Sequence, residues 1–318
     1  MFSGGQKMKR TKSKPDASII ILNWNSYGYT KNCINSIKKN TPDINYEIIL
    51  VDNGSKDGSC ERLEKQFPDL IFIKNKVNKG FPYGLNQGYR VSRGNYLVPM
   101  NNDALVTKDW LNEAINLLES DEKIGIVGVK EVSPQQFEDK ELIEKIRNSP
   151  NREKMTLPVG WVMKRKMLQE VGYLDTEYFS PVYGEEADWN FRARKLGYRI
   201  MECSKCIVIH FSSKDASKGL GNQKQFVLLN THRLRSMLFN LSLGELIKFV
   251  PGLGLIAVNS IKEKRFMLLL KSYWNNLKDW RIILRERRKK RIYIPFKEPK
   301  FTPPFVMEDE NNLSGDVG

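Results

Sequence analysis

Residues 97–105 read LVPMNNDAL, an apolar run that stops at two asparagines and an aspartate before apolar residues resume. Two earlier apolar runs end in the same way: SIIILNWNS at residues 18–26 and YEIILVDNGS at residues 46–55. Continuous apolar runs of this length are typical of strands that are covered on both faces of a parallel sheet. Short polar residues also make turns, and turns alone would explain each end singly, but less well why all three strands carry Asn or Asp at the same end.

Helical patterns separate these strands. Residues 30–39, 61–67 and 82–92 fit helices, residues 70–73 fit another strand, and an amphipathic helix is expected from Thr107 onward. The alternation predicts an α/β fold, Rossmann-like, with a mostly parallel sheet flanked by helices. Because ligands of such sheets bind at the carboxyl ends of the strands, we expect the three polar ends to meet in one crevice.

The second half of the chain is less regular. Residues 133–155 are polar and predict a surface loop. A short strand near Trp161 and a helix from about Lys164 are expected next. Residues 183–210 predict a loop, a helix that stops at Gly197, and a strand that ends at His210.

Composition narrows the class of protein. The 318 residues are 40% hydrophobic and 10% aromatic, which is typical of a globular protein. The net charge is +15, and residues 261–300 alone hold 14 Lys and Arg against 4 Asp and Glu, a net charge of +10. A basic excess of this size attracts nucleic acid, anionic lipid or phosphorylated ligands.

We predict four segments: a flexible basic leader at 1–15, a globular domain at 16–242, an amphipathic basic helical extension at 243–295, and a tail at 296–318. The extension repeats aromatic and apolar residues at helical spacing among Lys and Arg. This pattern favours a helix at an anionic membrane surface, although packing on the globular domain would also explain it. The most apolar stretch, residues 246–258, is shorter than the ~18–20 residues of a membrane span, so no transmembrane helix is expected.

The cysteines do not suggest a disulfide framework. They are few and scattered: Cys33, Cys60, Cys203 and Cys206. No apolar segment follows the N-terminal basic residues, so we expect no signal peptide, and we predict reduced thiols in a cytoplasmic setting. Cys203 and Cys206 with His210 make only part of a zinc site, and their spacing suits a strand equally well.

Two acidic positions have the chemistry of an active site. Asp103 ends a strand, and one carboxylate together with a substrate diphosphate suffices for Mg²⁺ or Mn²⁺; a turn or helix cap is the alternative. Glu185, Glu186 and Asp188 crowd three carboxylates into four residues, which favours a raised pKa suited to a general base. An acidic first turn of a helix is the alternative there.

Seven motifs in order resemble the family 2 glycosyltransferases of the GT-A fold, and most closely a rhamnosyltransferase-like subgroup of bacteria and archaea. They cover about residues 18–241 and read SIIILNWNS, EIILVDNGSKDGS, NKGFPYGLNQG, YLVPMNNDAL, GWVMKRKMLQEVGYLDTEYF, YGEEADWNFRARKLGYRI and IVIHFSS. The resemblance implies an inverting, metal-assisted transfer of a hexosyl or deoxyhexosyl group from a nucleoside-diphosphate-sugar to a glycan or lipid-linked acceptor. It also implies cell-surface polysaccharide or glycoconjugate synthesis at the cytoplasmic face of the membrane.

The resemblance assigns roles to particular residues. Glu186 would be the catalytic base, with Glu185 beside it, and Asp188 remains a second candidate because Glu186 stands where the family usually has Asp. The implied nucleotide-sugar-binding residues are Asn23, Asn25, Asp52, Asn53, Asn78, Gly80, Asn86, Asn101 and Asn102. Trp161 and Trp189 would lie on the acceptor side, and Asp103 and His210 would contact the metal. Because positions 101 and 102 are Asn, metal binding without the donor should be weak.

Other classes of protein remain as alternatives. A nucleic-acid-binding protein would use the basic termini, but no nucleic-acid-binding motif accompanies the charge, and we expect no nucleic acid partner. A sugar-phosphate nucleotidyltransferase, or a protein that only binds sugar nucleotides, shares the α/β plan. The former would need a Gly-rich loop with Lys or Arg after the first strand, which LNWNSYGYT at residues 22–30 lacks.

Overall fold

The computed structural model describes residues 13–155, 159–212, 221–289 and 291–297. The predicted leader at 1–15 and the tail at 296–318 therefore lie almost entirely outside the described residues.

The first half of the chain alternates strands and helices as expected. The strands are β1 (Ala17–Asn23), β2 (Tyr46–Asp52), β3 (Ile71–Lys74) and β4 (Tyr96–Met100), and the helices between them are α1 (Tyr27–Asn40), α2 (Ser59–Gln66) and α3 (Phe81–Val91). All four strands run parallel, in the order β3-β2-β1-β4. Three carboxyl ends that the sequence marks as polar, those of β1, β2 and β4, are thus on adjacent strands.

The second half adds the remaining described elements. They are β5 (Ala104–Val106), α4 (Trp110–Glu119), β6 (Ile124–Val132), α5 (Pro134–Glu138), α6 (Lys140–Arg147), β7 (Arg152–Glu153), β8 (Trp161–Lys164), α7 (Arg165–Val171), α8 (Glu185–Lys195) and β9 (Arg199–His210). The described residues form one sheet in the order β3-β2-β1-β4-β8-β6-β9-β5, with β7 beside β9. This sheet, parallel throughout its first half and flanked by helices, confirms the predicted α/β class.

Apolar residues on both faces of the sheet hold the helices in place. In β1, Ile19 and Ile21 belong to one core cluster with Ile34 of α1, whereas Ile20 packs in a second cluster with Leu85 of α3. All five side chains are at most 1% exposed. Strand side chains alternate between faces, so a run of isoleucines is what a strand with helices on both sides requires.

The predicted loop at 133–155 is wrong in part, because its first half is helical. Ser133 caps α5 with a capping box that involves Gln136, and the side chain of Asp139 accepts a hydrogen bond at the start of α6. Ile143 of α6 is buried against Ile207 of β9. Two short helices with few apolar contacts, made by Phe137, Ile143 and Ile146, leave a mostly polar sequence, which explains why the segment reads as a loop.

Cys203 and Cys206 form a disulfide bond within β9, whereas Cys33 and Cys60 are free and buried. The expectation of reduced thiols is therefore wrong for this pair. Since both sulfurs are engaged with each other, they do not form a zinc site with His210.

The remaining helices are α9 (Asn222–Asn240), α10 (Leu243–Lys262), α11 (Phe266–Lys278) and α12 (Trp280–Arg288). α9 packs on α8, and α11 and α12 pack on α9. α10 has 20 residues, and it is the one helix among the described residues that is long and apolar enough to cross a membrane, judged by length and composition alone. The apolar helix is thus longer than residues 246–258 suggested, because Leu243 and Lys262 are both inside it.

Candidate functional site

The polar ends of three strands meet through one chain of hydrogen bonds. Asn23 at the end of β1 donates to Asp52 Oδ1 of β2 at 2.8 Å. Thr30 of α1 donates to Asn23 Oδ1 at 2.8 Å and accepts from Asn102 Nδ2, which follows β4, at 3.0 Å. The predicted convergence of these ends is therefore confirmed. Thr30 joins these ends. Its position in an ordinary helix pattern does not mark it as a site residue, so the sequence did not predict this role.

The loop after β2 completes this first network. Ser55 donates its hydroxyl to Asp52 Oδ1 at 2.6 Å and its backbone N–H to Asp52 Oδ2 at 3.0 Å. Asn25 is exposed, has a φ of +49°, and accepts the Lys56 N–H at 2.8 Å. The side-chain amide of Asn23 is fully engaged with protein partners, so Asn23 orients Asp52. Asn25 lies at the solvent-exposed edge of the network.

A second network holds the turn that leads into α3. Asn53 Nδ2 donates to Asn78 Oδ1 at 2.8 Å and to the carbonyl oxygen of Gly80 at 3.2 Å. Gly80 has a φ of +86°, and a Cβ on it would lie 2.8 Å from the carbonyl oxygen of Pro181. Only glycine permits this approach, which brings the segment before α8 against the turn.

Asp103, His210 and Glu131 form a line of charged groups at the ends of β4, β9 and β6. His210 Nε2 is 3.1 Å from Asp103 Oδ1, and its Nδ1 is 2.6 Å from Glu131 Oε1. Burial opposes the charged form of His210, but the hydrogen bonds to Asp103 and Glu131 outweigh it and raise its pKa to about 9. His210 is therefore protonated at neutral pH. Glu131 was not predicted, since only the pairing of β6 with β9 brings it here.

These groups fit a divalent cation in part. No group of three or more His, Cys, Asp or Glu side chains with metal-binding geometry occurs among the described residues. Mg²⁺ and Mn²⁺, however, take one or two carboxylates from a protein and the rest from substrate phosphates and water. Asp103 supplies one such carboxylate and is 6% exposed. His210 would have to lose its proton before it could act as a ligand.

Glu185 begins α8 and is buried. It is 5% exposed, and its Oε2 has no hydrogen-bond partner in the part of the chain that the structure describes. Burial, with a smaller contribution from the charge of Glu186, raises the pKa of Glu185 to about 8. Native structures rarely leave a buried carboxylate oxygen unpaired, so this residue is a candidate for a site whose partner is a ligand.

Glu186 is half-buried and accepts a hydrogen bond from Asn190 Nδ2 at 2.7 Å. Both glutamates lie close enough to Tyr89 of α3 that their charges add to burial in raising the pKa of its hydroxyl well above the usual range. The start of α8 therefore faces α3, the helix that the second network positions.

Asp188 lies apart from the glutamates in a buried ion cluster, and its role as a second candidate base stays a prediction. Its side chain is fully buried and pairs with Arg192 at 2.9 Å and with Arg291 at 3.3 Å. Burial opposes its charge, but Arg291 and Arg192 outweigh it and lower its pKa. Asp175 also pairs with Arg291. Asp188 is thus part of an internal ion cluster with Asp175, Arg192 and Arg291, on the opposite side of the first turn of α8 from the glutamates.

Three further predicted site residues lie inside the protein. Asn86 exchanges two hydrogen bonds with the backbone of Leu174, at 2.9 and 3.0 Å. Trp189 is 3% exposed and donates its indole N–H to the carbonyl oxygen of Gly172 at 2.8 Å. Trp161 packs in the same core cluster as Trp189. These side chains tie α3 and α8 to the rest of the domain, and the predicted donor contact of Asn86 and acceptor contacts of the two tryptophans stay predictions.

The remaining predicted residue, Asn101, contributes backbone contacts. Its N–H donates to the carbonyl oxygen of Val159 at 2.9 Å, and its carbonyl oxygen accepts from Cys33. The structure thus joins the strand-end residues in one hydrogen-bond network, sets the turn at Gly80 against Pro181 before α8, and places the glutamates of α8 near Tyr89 of α3.

The chain is similar in sequence to known proteins. Residues 18–172 match the family described as glycosyl transferase family 2. A glycosyltransferase of Bacillus subtilis, YfnE, is 37% identical over 116 residues, which are 36% of this chain and 29% of that protein. Glycosyltransferase AglE of Haloferax volcanii is 25% identical over 259 residues, 76% of this chain and 83% of that one. The chain thus spans less than a third of the length of one relative and most of the other.

Solved structures share the fold. A mannosyltransferase from Pyrobaculum calidifontis, solved with GDP-Man and Mn²⁺, has a TM-score of 0.54 at 18% identity, over 85% of this chain and 76% of that one. GalNAc-T7, solved with UDP, GalNAc and Mn²⁺, has a TM-score of 0.55 at 14% identity, over 71% of this chain and 48% of that one. At these identities the likeness shows the fold, which is the GT-A fold.

Proposed function

We propose that the chain is a family 2 glycosyltransferase that transfers a sugar from a nucleoside-diphosphate-sugar to an acceptor hydroxyl with inversion at the anomeric carbon. The match of residues 18–172 to the family described as glycosyl transferase family 2 supports this proposal. The observation that carries the proposal is the position of a buried and a half-buried glutamate at the start of α8, whose preceding segment lies against the turn at Gly80 that Asn53 holds after β2.

The donor side follows from the two hydrogen-bond networks. Asp52 is held by Asn23 and Ser55, so its carboxylate is fixed before any ligand arrives. We assign the nucleotide to this edge, with Asn25 and Asn102 at the open surface and Asn53 fixing the turn at Gly80. A site whose polar groups are already oriented loses little free energy of ordering when the ligand binds.

The reaction needs one base, and we assign it to Glu186. An acceptor hydroxyl attacks the anomeric carbon as the bond to the diphosphate breaks, and the hydroxyl proton passes to the carboxylate of Glu186. Glu185 is protonated at neutral pH because its pKa is about 8, so it adds no second negative charge beside the base. A half-buried carboxylate that receives a hydrogen bond from Asn190 is also held in one orientation, which general-base catalysis requires.

A divalent cation, Mg²⁺ or Mn²⁺, fits Asp103, with His210 as a second contact. When bound there, it would supply a counter-charge for the leaving diphosphate. Protonated His210 is itself a cationic donor at the same edge, so this chain has a positive group near the diphosphate before any metal is present.

The transferred sugar, the acceptor and the cellular place are further parts of the proposal. We expect a hexosyl or deoxyhexosyl group, as in the rhamnosyltransferase-like subgroup, and a glycan or lipid-linked glycan acceptor in cell-surface polysaccharide or glycoconjugate synthesis. We place the enzyme as a peripheral protein at the cytoplasmic face of the membrane, which suits a lipid-linked acceptor.

A binding screen followed by product detection tests this proposal. Thermal unfolding is recorded with each nucleoside diphosphate and its sugars, with and without Mn²⁺, and the stabilising donors are incubated with glycan and lipid-linked acceptors. Release of nucleoside diphosphate together with a sugar-extended product supports transfer. Release of pyrophosphate from a nucleoside triphosphate would instead identify a nucleotidyltransferase, and donor binding without product under any acceptor would leave a sugar-nucleotide-binding protein.

A further inference from the structure

Helix α10 exposes apolar side chains along one face, while Leu246, Phe249 and Ile256 on the other face are half-buried. Leu243, Ile247 and Leu255 are 75%, 69% and 62% exposed, and Ser260 is the one residue of the helix that is buried. No charged residue occurs between Lys248 and Lys262. An exposed apolar face of this length needs a cover, either protein or lipid.

Helices α11 and α12 continue the exposed apolar surface and add charge. Met267, Trp274, Leu277 and Trp280 are each at least half exposed. On α12, a shallow groove has Trp280 and Leu284 as its apolar part and four cations around it: Arg281, Arg285, Arg288 and Lys289. Exposed tryptophans beside Arg and Lys are typical of the interface between lipid headgroups and acyl chains.

Both ends of α10 are fixed to the same body of the protein. At its N-terminal end, Leu246 and Phe249 pack against Phe191 and Met237. Beyond its C-terminal end, Arg265 lies over the Phe226 ring of α9 at 5.7 Å. The chain then returns along α9.

The return of the chain excludes a crossing. In α11, Asn276 Nδ2 donates to the carbonyl oxygen of Thr231 in α9 at 3.0 Å, and Leu269 is fully buried. A helix that crossed a hydrocarbon core of about 30 Å would place the residues after it on the far side of the bilayer. Since α11 packs on α9, which precedes α10, the ends of α10 must lie on one side.

We propose that α10, α11 and α12 form a membrane-docking surface for anionic lipid, on which α10 lies in the plane of the interface and does not span the bilayer. The charge of this surface favours lipid over a second copy of the chain. Residues 261–300 have a net charge of +10, which attracts an anionic lipid surface and repels a second copy of this chain. The inference needs no turnover, so its test is independent of the proposed transferase activity.

Vesicle flotation of the full chain tests the lipid partner. Phosphatidylcholine vesicles are compared with vesicles of phosphatidylcholine and phosphatidylglycerol at low and high salt. We expect binding to the anionic vesicles at least about tenfold tighter, and weaker at high salt. The double variant Arg281→Gln with Arg288→Gln should lose about tenfold or more, whereas Lys140→Gln with Lys145→Gln, an equal charge change on exposed α6, should not.

Apolar contact is tested separately with Leu255→Asp and Val258→Asp on α10. We expect this pair to abolish flotation, whereas Val91→Asp on α3 leaves flotation unchanged; circular dichroism checks that each variant is folded. Equal binding to both vesicle types, dimerisation of the chain in place of flotation, or tighter binding to DNA than to anionic vesicles would each overturn the proposal.

Orientation is tested by labelling. Glu263→Cys, just after α10, is reacted with a membrane-impermeant maleimide added outside vesicles that carry the protein on their outer surface. We expect it to react as fully as Glu141→Cys on α6. Protection of position 263 until the vesicles are opened would show that α10 spans the bilayer.

Discussion

Arg291 reaches back from beyond α12 into the body of the domain, and its replacement by Met is the change whose size follows most directly from the structure. The guanidinium is 4% exposed and pairs with Asp175 and with Asp188. It also lies over the ring of Phe239 at 4.5 Å. Met keeps an unbranched apolar stem that can pack on the ring, and it removes the charge and the N–H donors of the guanidinium.

The expected cost comes from the carboxylates left behind. Asp188 keeps Arg192 at 2.9 Å, but Asp175, which is 4% exposed, loses its ion pair. Removing one partner of a buried pair costs about 3–5 kcal/mol, because the other charge remains in a poorly solvated place. That is a large part of a typical free energy of unfolding of about 5–15 kcal/mol.

Urea unfolding followed by circular dichroism measures this cost. Lys297→Met is the matched control, because Lys297 pairs at 3.1 Å with Glu177, two residues after Asp175, but its side chain is 48% exposed. An exposed ion pair contributes about 0–1 kcal/mol to stability. Adding Asp175→Asn to Arg291→Met should restore part of the loss. A cost for Arg291→Met as small as that of Lys297→Met would refute the reasoning.

The pH dependence gives a second readout. In the native cluster the pKa of Asp188 is lowered, so its contribution is present above the unfolded pKa and is lost as pH falls through the folded pKa. In Arg291→Met, burial without the cation raises the pKa of Asp175 further. The variant should therefore regain stability relative to the native chain as the pH falls toward the ordinary range of a carboxyl group.

Three further predictions concern the site. Glu185→Gln should stabilise the folded chain at neutral pH by on the order of 1–4 kcal/mol. The reason is that a folded pKa of about 8 for Glu185 makes the stability of the native chain fall as pH rises above the unfolded pKa. Equal urea midpoints for both chains would contradict this. Asp103→Asn should weaken Mn²⁺-dependent binding of a nucleoside diphosphate at least about tenfold by calorimetry while Mn²⁺-free binding changes less, and an unchanged Mn²⁺ dependence would move the metal elsewhere. Asn86→Ala should cost about 1–3 kcal/mol of stability, because the Leu174 backbone groups lose their partners, yet leave the donor KM unchanged; a raised KM at unchanged stability would return Asn86 to the donor site.

Local sequence patterns predicted the sheet well because they are short-range. The isoleucine run of β1 and the polar residues after β1, β2 and β4 were enough to place one edge of the sheet. Contacts between distant segments could not be predicted. Glu131 reaches His210 only through the pairing of β6 with β9, and Arg291 reaches Asp188 from 103 residues away.

The same limit applies to the predicted site residues. Asp188 and Glu186 are two positions apart on α8, and residues at that spacing point to different sides of a helix. The sequence shows three carboxylates together, but only the cations that surround Asp188 decide that it faces inward. Trp189 and Asn86 look like surface recognition residues by type, and their partners, the backbone groups of Gly172 and Leu174, have no sequence signature.

We propose, above all, that Glu186 takes the proton of the acceptor hydroxyl. The most direct measurement is turnover of Glu186→Gln with a donor and acceptor found by the screen, alongside donor affinity by calorimetry and Glu141→Gln on α6 as control. We expect kcat to fall about 10²–10⁴-fold with the donor Kd unchanged and the control fully active. Unchanged kcat in Glu186→Gln would contradict the assignment.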